Sequence, residues 1–190
     1  MKVGRLLSPV HSLGPGERIG LWTQGCSRKC EGCISPELQE ISGKDIHEEA
    51  LSKIIIQVAD KNNCDGITIS GGDPFEQADA LLRLLKHIRN RFKDILVYTG
   101  FTLDEIQEGK TGKSGIECLE FIDVLIDGRY HKELNTPDCV LRGSSNQNIY
   151  YFNECKRELY TDYMHKGRIV ETFEHNNDMI IVGILNEVGK

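Results

Sequence analysis

The chain has 190 residues, of which 39% are apolar and 27% are charged, a balance typical of one globular domain with a hydrophobic core. Its formal net charge of −6 excludes a generic nucleic-acid binder, which would carry a basic face. No apolar stretch approaches the roughly 18 residues of a membrane span, and the N-terminal stretch is too broken by glycine and proline to resemble a signal peptide. We therefore expect a cytoplasmic protein.

Strand and helix patterns alternate through most of the chain. Buried-strand patterns occur at residues 20–22, 66–70, 95–98 and 123–126, and amphipathic helix patterns occur at residues 45–60 and 77–92. A capping box formed by Thr102 and Glu105 opens a further short helix. Strands that alternate with helices are typical of repeated βαβ units, so we predict an α/β fold built on a parallel sheet.

The end of the chain changes character. Residues 168–173 and 179–184 are strand-like and are separated by the polar run 174–178, which predicts a β-hairpin with a longer loop. We expect this hairpin to pair at a sheet edge or to pack beside the sheet. The whole chain, residues 1–190, is predicted to form a single domain, with a core at about 15–150 and a hairpin extension at about 151–190.

Three cysteines, Cys26, Cys30 and Cys33, lie within eight residues of one another. In a reducing compartment such a cluster favours metal binding or catalysis over disulfides. Thiolates bind iron–sulfur clusters or zinc, and a four-iron cluster normally takes four cysteines, so one coordination position is left open here. Gly25 and Gly32 allow the backbone to wrap closely around a bulky group. On spacing alone, a cluster and a zinc site completed by a distant Cys or His stay equally open.

A glycine–aspartate loop, Ser70-Gly71-Gly72-Asp73-Pro74, follows the second predicted strand. Ligands bind at the carboxyl ends of parallel strands, where paired glycines expose backbone groups and Asp73 offers a carboxylate to a cationic amine. An equally weighted interpretation is that Asp73 only caps the next helix. Thr99-Gly100 and Asp127-Gly128 take the equivalent places after the next two strands, and this recurrence favours one shared ligand site.

Three motifs therefore occur in order: Cys-x3-Cys-x2-Cys, Gly-Gly-Asp-Pro and Tyr-Thr-Gly. Together they resemble the radical S-adenosylmethionine (SAM) superfamily, and in detail the family of activating proteins of anaerobic ribonucleoside-triphosphate reductase. The resemblance extends over residues 20–147. Its local matches are residues 25–26, 32–33, 69–75, 97–101, 123–130 and 142–147.

The resemblance implies a partial parallel (βα) barrel of the radical SAM type, followed by a C-terminal β-hairpin extension. It implies that Cys26, Cys30 and Cys33 hold a [4Fe-4S] cluster whose fourth iron binds S-adenosyl-L-methionine. The residues it places around this cofactor are Gly32, Cys33 and Ile34 on the adenosine side, and Gly71, Gly72, Asp73 and Thr99 at the methionine amino end. Ile34 stands where many relatives have an aromatic residue, so apolar contact with adenine is kept and ring stacking is lost.

The implied function is that of an oxidoreductase that cleaves SAM reductively and generates a glycyl radical on a partner enzyme, which the resemblance identifies as anaerobic ribonucleotide reductase. An external electron donor such as a flavodoxin is also implied. Arg28 and Lys29 lie between cluster ligands, where they either favour docking of an acidic donor or form a solvated basic pair. Cys64 is the only cysteine between Cys33 and Gly71, so a single cluster is expected.

Other interpretations stay open at this point. The chain could activate another glycyl-radical enzyme, or carry out radical SAM chemistry on a small molecule or peptide. A non-catalytic zinc or electron-transfer protein is an alternative of a different class. For residues 142–147, partner docking and loop scaffolding are equally open.

Overall fold

A computed structural model describes residues 1–43, 45–175 and 178–185. The strands are β1 (Val3–Val10), β2 (Arg18–Thr23), β3 (Gly66–Gly71), β4 (Asp94–Tyr98), β5 (Val124–Asp127), β6 (Asn148–Tyr151), β7 (Val170–His175) and β8 (Asp178–Gly183). The α-helices are α1 (Glu48–Lys61), α2 (Ala78–Ile88), α3 (Leu103–Gln107), α4 (Gly112–Cys118) and α5 (Arg157–Met164). None of the described helices is long and apolar enough to cross a membrane.

The first six strands form one sheet, in which their order along the chain is also their order in space. Strands β2 to β5 are parallel, while β1 and β6 pair antiparallel at the two edges. Helix α1 connects β2 to β3, α2 connects β3 to β4, and α3 with α4 connects β4 to β5. The predicted α/β class and parallel βαβ core are confirmed, while the barrel curvature stays a prediction.

The two edge strands are absent from the sequence-based prediction. Strand β1 contains Gly4 and Pro9 and has register irregularities in its pairing with β2. Such residues weaken a strand pattern, and proline is tolerated at a sheet edge because no neighbour needs its missing N–H. Strand β6 is as short as β5 but is not fully buried, so it lacks the continuous apolar run that reveals β5 in the sequence.

The core lies between the sheet and helices α1 and α2. On α2 the apolar face includes Leu81, Leu84, Leu85 and Ile88, all of which are completely buried. Each such side chain contributes about 1.5–3 kcal/mol through removal of apolar surface from water. This packing fixes the helices against the sheet and so positions the loops at the carboxyl ends of the strands.

A buried charged network ties the amino ends of the parallel strands together. The Arg18 guanidinium is completely buried and forms an ion pair with Asp94, which opens β4. Arg18 also donates to Thr68 Oγ1 and to the Ile67 carbonyl of β3. Tyr160 of α5 donates its hydroxyl to the same Asp94 carboxylate, at 2.9 Å. One side chain of β2 thereby connects three strands and a helix.

The hairpin β7–β8 forms a separate two-stranded sheet, which confirms the predicted C-terminal hairpin. The predicted loop at residues 174–178 is too long, because residues 174 and 175 pair within β7 and residue 178 pairs within β8; residues 176 and 177 lie outside the described residues. Val182 packs beside Trp22 in a cluster next to β1 and β2, so the hairpin packs beside the sheet and does not extend it. The Glu171 carboxylate accepts hydrogen bonds from the main-chain amides of His11 and Ser12, at 2.8 and 2.7 Å.

Replacement of Arg18 by methionine should destabilise the protein by about 3–5 kcal/mol, because it leaves the Asp94 carboxylate buried without its cation. Urea unfolding of the metal-free protein measures this change. The matched control is Lys53→Met, which removes an exposed ion pair with Glu49 and should cost less than about 1 kcal/mol. Similar losses in the two variants would contradict the structural role of the buried network.

Candidate active site

A cavity of about 460 Å³ opens at the carboxyl ends of the parallel strands. The residues that the sequence resemblance assigns to the cluster and the cofactor all line it: Cys26, Cys30, Gly32, Cys33, Ile34, Gly71, Gly72, Asp73 and Thr99. Gly71 is the last residue of β3, and the others come from the three loops that follow β2, β3 and β4. The structure therefore brings the predicted site residues together, while their individual roles stay predictions.

The cysteine loop follows β2 directly and is held at its start by main-chain hydrogen bonds. The amides of Gly25 and Cys26 donate to the carbonyls of Leu38 and Gln39, at 2.8 and 2.9 Å. Gly25 and Gly32 both have positive φ angles, +107° and +72°, a backbone conformation that favours glycine. The three thiols are free and half-buried, and all three cysteines line the cavity.

Residues 71 and 72 must be glycine because the last residue of β2 and the start of the cysteine loop pass against them. A Cβ at Gly71 would lie 2.2 Å from the Thr23 nitrogen, and one at Gly72 would lie 2.2 Å from the Gly25 carbonyl oxygen. The amides of Gly72 and Asp73 donate to the carbonyls of Thr23 and Gly25, both at 2.8 Å. The glycine pair therefore joins the loop after β3 to the loop that carries the thiols.

Asp73 is almost completely buried and accepts three hydrogen bonds. Its carboxylate accepts from the amide of Phe75 at 3.0 Å, and from the Thr99 hydroxyl and the Gly100 amide at 2.8 Å each. Burial raises the pKa of the Asp73 carboxyl to about 6, against the lowering effect of these hydrogen bonds. Asp73 therefore caps the 3₁₀ helix that follows, but capping is not its only contact, because the same carboxylate also fixes the loop after β4.

Burial and nearby main-chain amides act in opposite directions on the pKa of the first cysteine, Cys26. Burial raises the pKa of the Cys26 thiol, and the nearby main-chain amides of Arg28 and Lys29 partly offset this effect. Arg28 is packed within the chain and lines the cavity, whereas Lys29 is exposed. Of the basic pair considered for docking an electron donor, only Lys29 is accessible.

The motif at residues 142–147 makes scaffolding contacts within the chain. The Gln147 side chain donates to the Gly128 carbonyl at 2.7 Å and accepts from the Gly143 amide at 2.7 Å. Arg142 donates to the Gln147 carbonyl at 2.9 Å. Of the two open roles, loop scaffolding has direct support, because these bonds hold the segment that follows β5 beside the cavity.

The hairpin contributes a wall that the sequence did not predict. Residues 181–185, the second half of β8 and the two residues after it, line the cavity together with Tyr130, Lys132 and Asn135. The resemblance ends at residue 147, and strand periodicity does not show which surface a hairpin covers. No local signal therefore connected the hairpin with the site.

The donor set of the cavity fits an iron–sulfur cluster better than a four-ligand zinc site. Cys64, Cys118, Cys139 and Cys155 do not line the cavity, and within the described part of the chain no histidine does. Arg28 has a buried Nε–H with no acceptor among the described residues, and cluster sulfide or a cofactor carboxylate could accept from it. No three His, Cys, Asp or Glu side chains of the described residues converge on one ion position, so ligation by the thiols stays a prediction.

Comparison with known proteins gives consistent results. The family model of the 4Fe-4S single cluster domain matches residues 12–150. A protein of Vibrio cholerae serotype O1 is 35% identical over 145 residues, which cover 73% of this chain and 90% of the relative. A protein of Escherichia coli K12 is 32% identical over 144 residues, with the same coverage, and one of Enterobacteria phage T4 is 32% identical over 141 residues, or 72% and 85%. All three are named anaerobic ribonucleoside-triphosphate reductase-activating protein.

Replacement of Gly72 by alanine tests the contact between the two loops. The added methyl group would overlap the Gly25 carbonyl, so we expect a loss of about 1–3 kcal/mol in unfolding free energy. We also expect reduced iron content after anaerobic reconstitution, because the cysteine loop must move. Urea unfolding and iron analysis measure the two effects.

The control for Gly72→Ala is Gly16→Ala. Gly16 has a φ of +75°, and a Cβ added there would meet no atom within 4 Å, so alanine costs only about 1 kcal/mol of backbone strain. Its iron content should equal that of the wild type. Equal iron content in the Gly72 variant would show that the loop contact does not position the thiols.

Proposed function

We propose that this chain is a radical SAM activase of an anaerobic ribonucleoside-triphosphate reductase. The premise is that the chain belongs to the family of anaerobic ribonucleoside-triphosphate reductase-activating proteins and carries a 4Fe-4S single cluster domain. In this proposal the chain is an oxidoreductase, its cofactors are a [4Fe-4S] cluster and S-adenosyl-L-methionine, and its product is a glycyl radical on the partner. The relatives are named as activating proteins of anaerobic ribonucleoside-triphosphate reductase, which favours this reductase as the partner over other glycyl-radical enzymes.

One observation carries the proposal. Residues that the resemblance assigns to two different cofactors come from three separate loops, yet they line a single cavity. The three thiols lie along the same cavity as the Gly71-Gly72-Asp73 loop, and Asp73 is bonded to both Thr99 and Gly100. A non-catalytic zinc or electron-transfer protein has no use for this second loop beside its metal ligands.

Each group of residues then has a distinct part. Cys26, Cys30 and Cys33 would hold the cluster and leave its fourth iron for SAM. Gly32 and Ile34 would contact the adenosine, and Ile34, which is 55% exposed, offers an apolar surface to the adenine ring. The backbone at residues 71–72, with Asp73 and Thr99, would receive the methionine amino group.

When bound and reduced by an external donor, the cluster would supply one electron for the cleavage of SAM to methionine and a 5′-deoxyadenosyl radical, and that radical would remove a hydrogen atom from a glycine Cα of the partner. The chain itself orients the cofactor and limits the access of water. Asp73 shares its carboxylate between the chain and the cofactor, since three of its roughly four acceptor positions are occupied by internal donors. Lys29 remains exposed for contact with an external donor such as a flavodoxin.

The proposal includes a single domain, in which the parallel sheet curves as a partial barrel and the hairpin extension closes one side of the cavity. It also includes a cytoplasmic location, because seven free thiols and a reduced cluster require a reducing compartment.

The test is anaerobic reconstitution with iron and sulfide, followed by reduction in the presence of SAM. We expect about four irons per chain and formation of 5′-deoxyadenosine. Cys26→Ser, Cys30→Ser and Cys33→Ser should each abolish 5′-deoxyadenosine formation, because a hydroxyl is a poor replacement for a thiolate on iron. Mass spectrometry of the nucleoside and iron analysis measure both outcomes.

Cys155→Ser is the matched control, because Cys155 is exposed and lies outside the cavity lining. It should retain full iron content and cleavage. An intact cluster that yields no 5′-deoxyadenosine on reduction would refute the radical mechanism. The partner is tested separately by electron paramagnetic resonance, which should detect a glycyl radical on added anaerobic ribonucleotide reductase.

A further inference from the structure

The tripeptide between Cys26 and Cys30 is held by the three neighbouring loops of the sheet. Ser27 donates its amide and its hydroxyl to Glu76, in the 3₁₀ helix after β3. Arg28 donates to Glu105, in α3 after β4, at 3.0 Å. Arg129, which follows β5, donates to the Arg28 carbonyl at 2.7 Å. The cysteine loop is therefore fixed by side chains from each of the next three strand ends.

Arg28 makes the most extensive of these contacts. Its guanidinium carbon lies 4.0 Å from the centroid of the Phe101 ring, a distance at which the cation and the ring face attract. Its side chain is only 17% exposed, and a Cβ at Gly100 would lie 3.0 Å from its Cγ. A planar guanidinium can stack on a ring and bond a carboxylate at once, which a lysine ammonium cannot do.

Arg28 lies two residues from each of two predicted cluster ligands, Cys26 and Cys30. Lys29, between Arg28 and Cys30, adopts a left-handed conformation with a φ of +44°, so the main chain turns sharply here. Hydrogen bonds to ligand sulfurs tune the reduction potential of a cluster, and groups outside the ligand shell hold the ligands in place. Any movement of Arg28 would displace the main chain that joins Cys26 to Cys30.

We infer that Arg28 is a positioning residue of the site. Its stacking on Phe101 and its ion pair with Glu105 hold the main chain that joins Cys26 to Cys30, and this arrangement sets the retention and the reduction potential of the cluster. The inference rests on the proposed ligation by Cys26, but it does not depend on SAM cleavage or on the identity of the partner.

The test compares Arg28→Met with Lys29→Met after anaerobic reconstitution. Both substitutions remove one positive charge from the same three-residue segment, but only the first removes the contacts with Phe101 and Glu105. We expect Arg28→Met to lose iron to a chelator about tenfold faster than the wild type and to shift the midpoint potential. Lys29→Met should match the wild type in both measurements.

Three further variants separate shape from charge and guard against misfolding. Arg28→Lys keeps the charge and should behave like Arg28→Met. Phe101→Leu and Glu105→Gln leave Arg28 in place but remove one contact each, and both should speed iron loss in the same direction. Glutamine keeps the capping box with Thr102, so the start of α3 is preserved.

Three results would contradict the inference, and each has a different consequence. If Lys29→Met changes the potential and the iron loss as much as Arg28→Met does, the effect is one of charge alone and the inference is wrong. An intact cluster that is indifferent to Arg28→Met, Phe101→Leu and Glu105→Gln would overturn the inference and leave the proposed function standing. A wild-type protein that takes up no iron–sulfur cluster would overturn both.

Discussion

Close contact between two stretches of main chain, residues 71–72 and residues 23–25, is the constraint on which the rest of the site depends. These two stretches lie so close together that neither Gly71 nor Gly72 could carry a Cβ atom. Two main-chain hydrogen bonds of 2.8 Å hold them there. The thiols therefore cannot be positioned independently of the glycine pair, and the two predicted motifs form one structural unit.

Asp73 extends this unit to the next strand. A buried carboxylate is costly unless it is hydrogen-bonded, and here donors from Phe75, Thr99 and Gly100 offset that cost. Because two of these donors come from the loop after β4, one side chain orders the carboxyl ends of two neighbouring strands. An amino group of a cofactor would meet an acceptor that is already oriented, which reduces the entropy lost on binding.

The sequence predicted the parts of the structure that have local signals. The buried parallel strands and the amphipathic helices produce periodic patterns, and the site residues follow strand ends that a parallel sheet must bring to one edge. Edge strand β1 has no such pattern, since Gly4 and Pro9 interrupt it. The stacking of Arg28 on Phe101 and its pairing with Glu105 join residues far apart in the chain, so a basic pair on a loop was all that the sequence revealed.

The C-terminal hairpin helps to enclose the cavity but contributes none of the residues that are proposed to bind the cofactors. The residues proposed to hold the cofactors all lie within the span matched by the family model, residues 12–150, whereas residues 181–185 lie beyond it and still line the cavity. Val182 is buried beside Trp22, and Glu171 is bonded to the amides of His11 and Ser12, so the hairpin is attached to the end of β1. Because these attachments involve none of the proposed cofactor residues, the wall they support can differ between relatives without any change in the ligands. One wall of the cavity is therefore supplied by a different part of the chain from the part proposed to bind the cofactors.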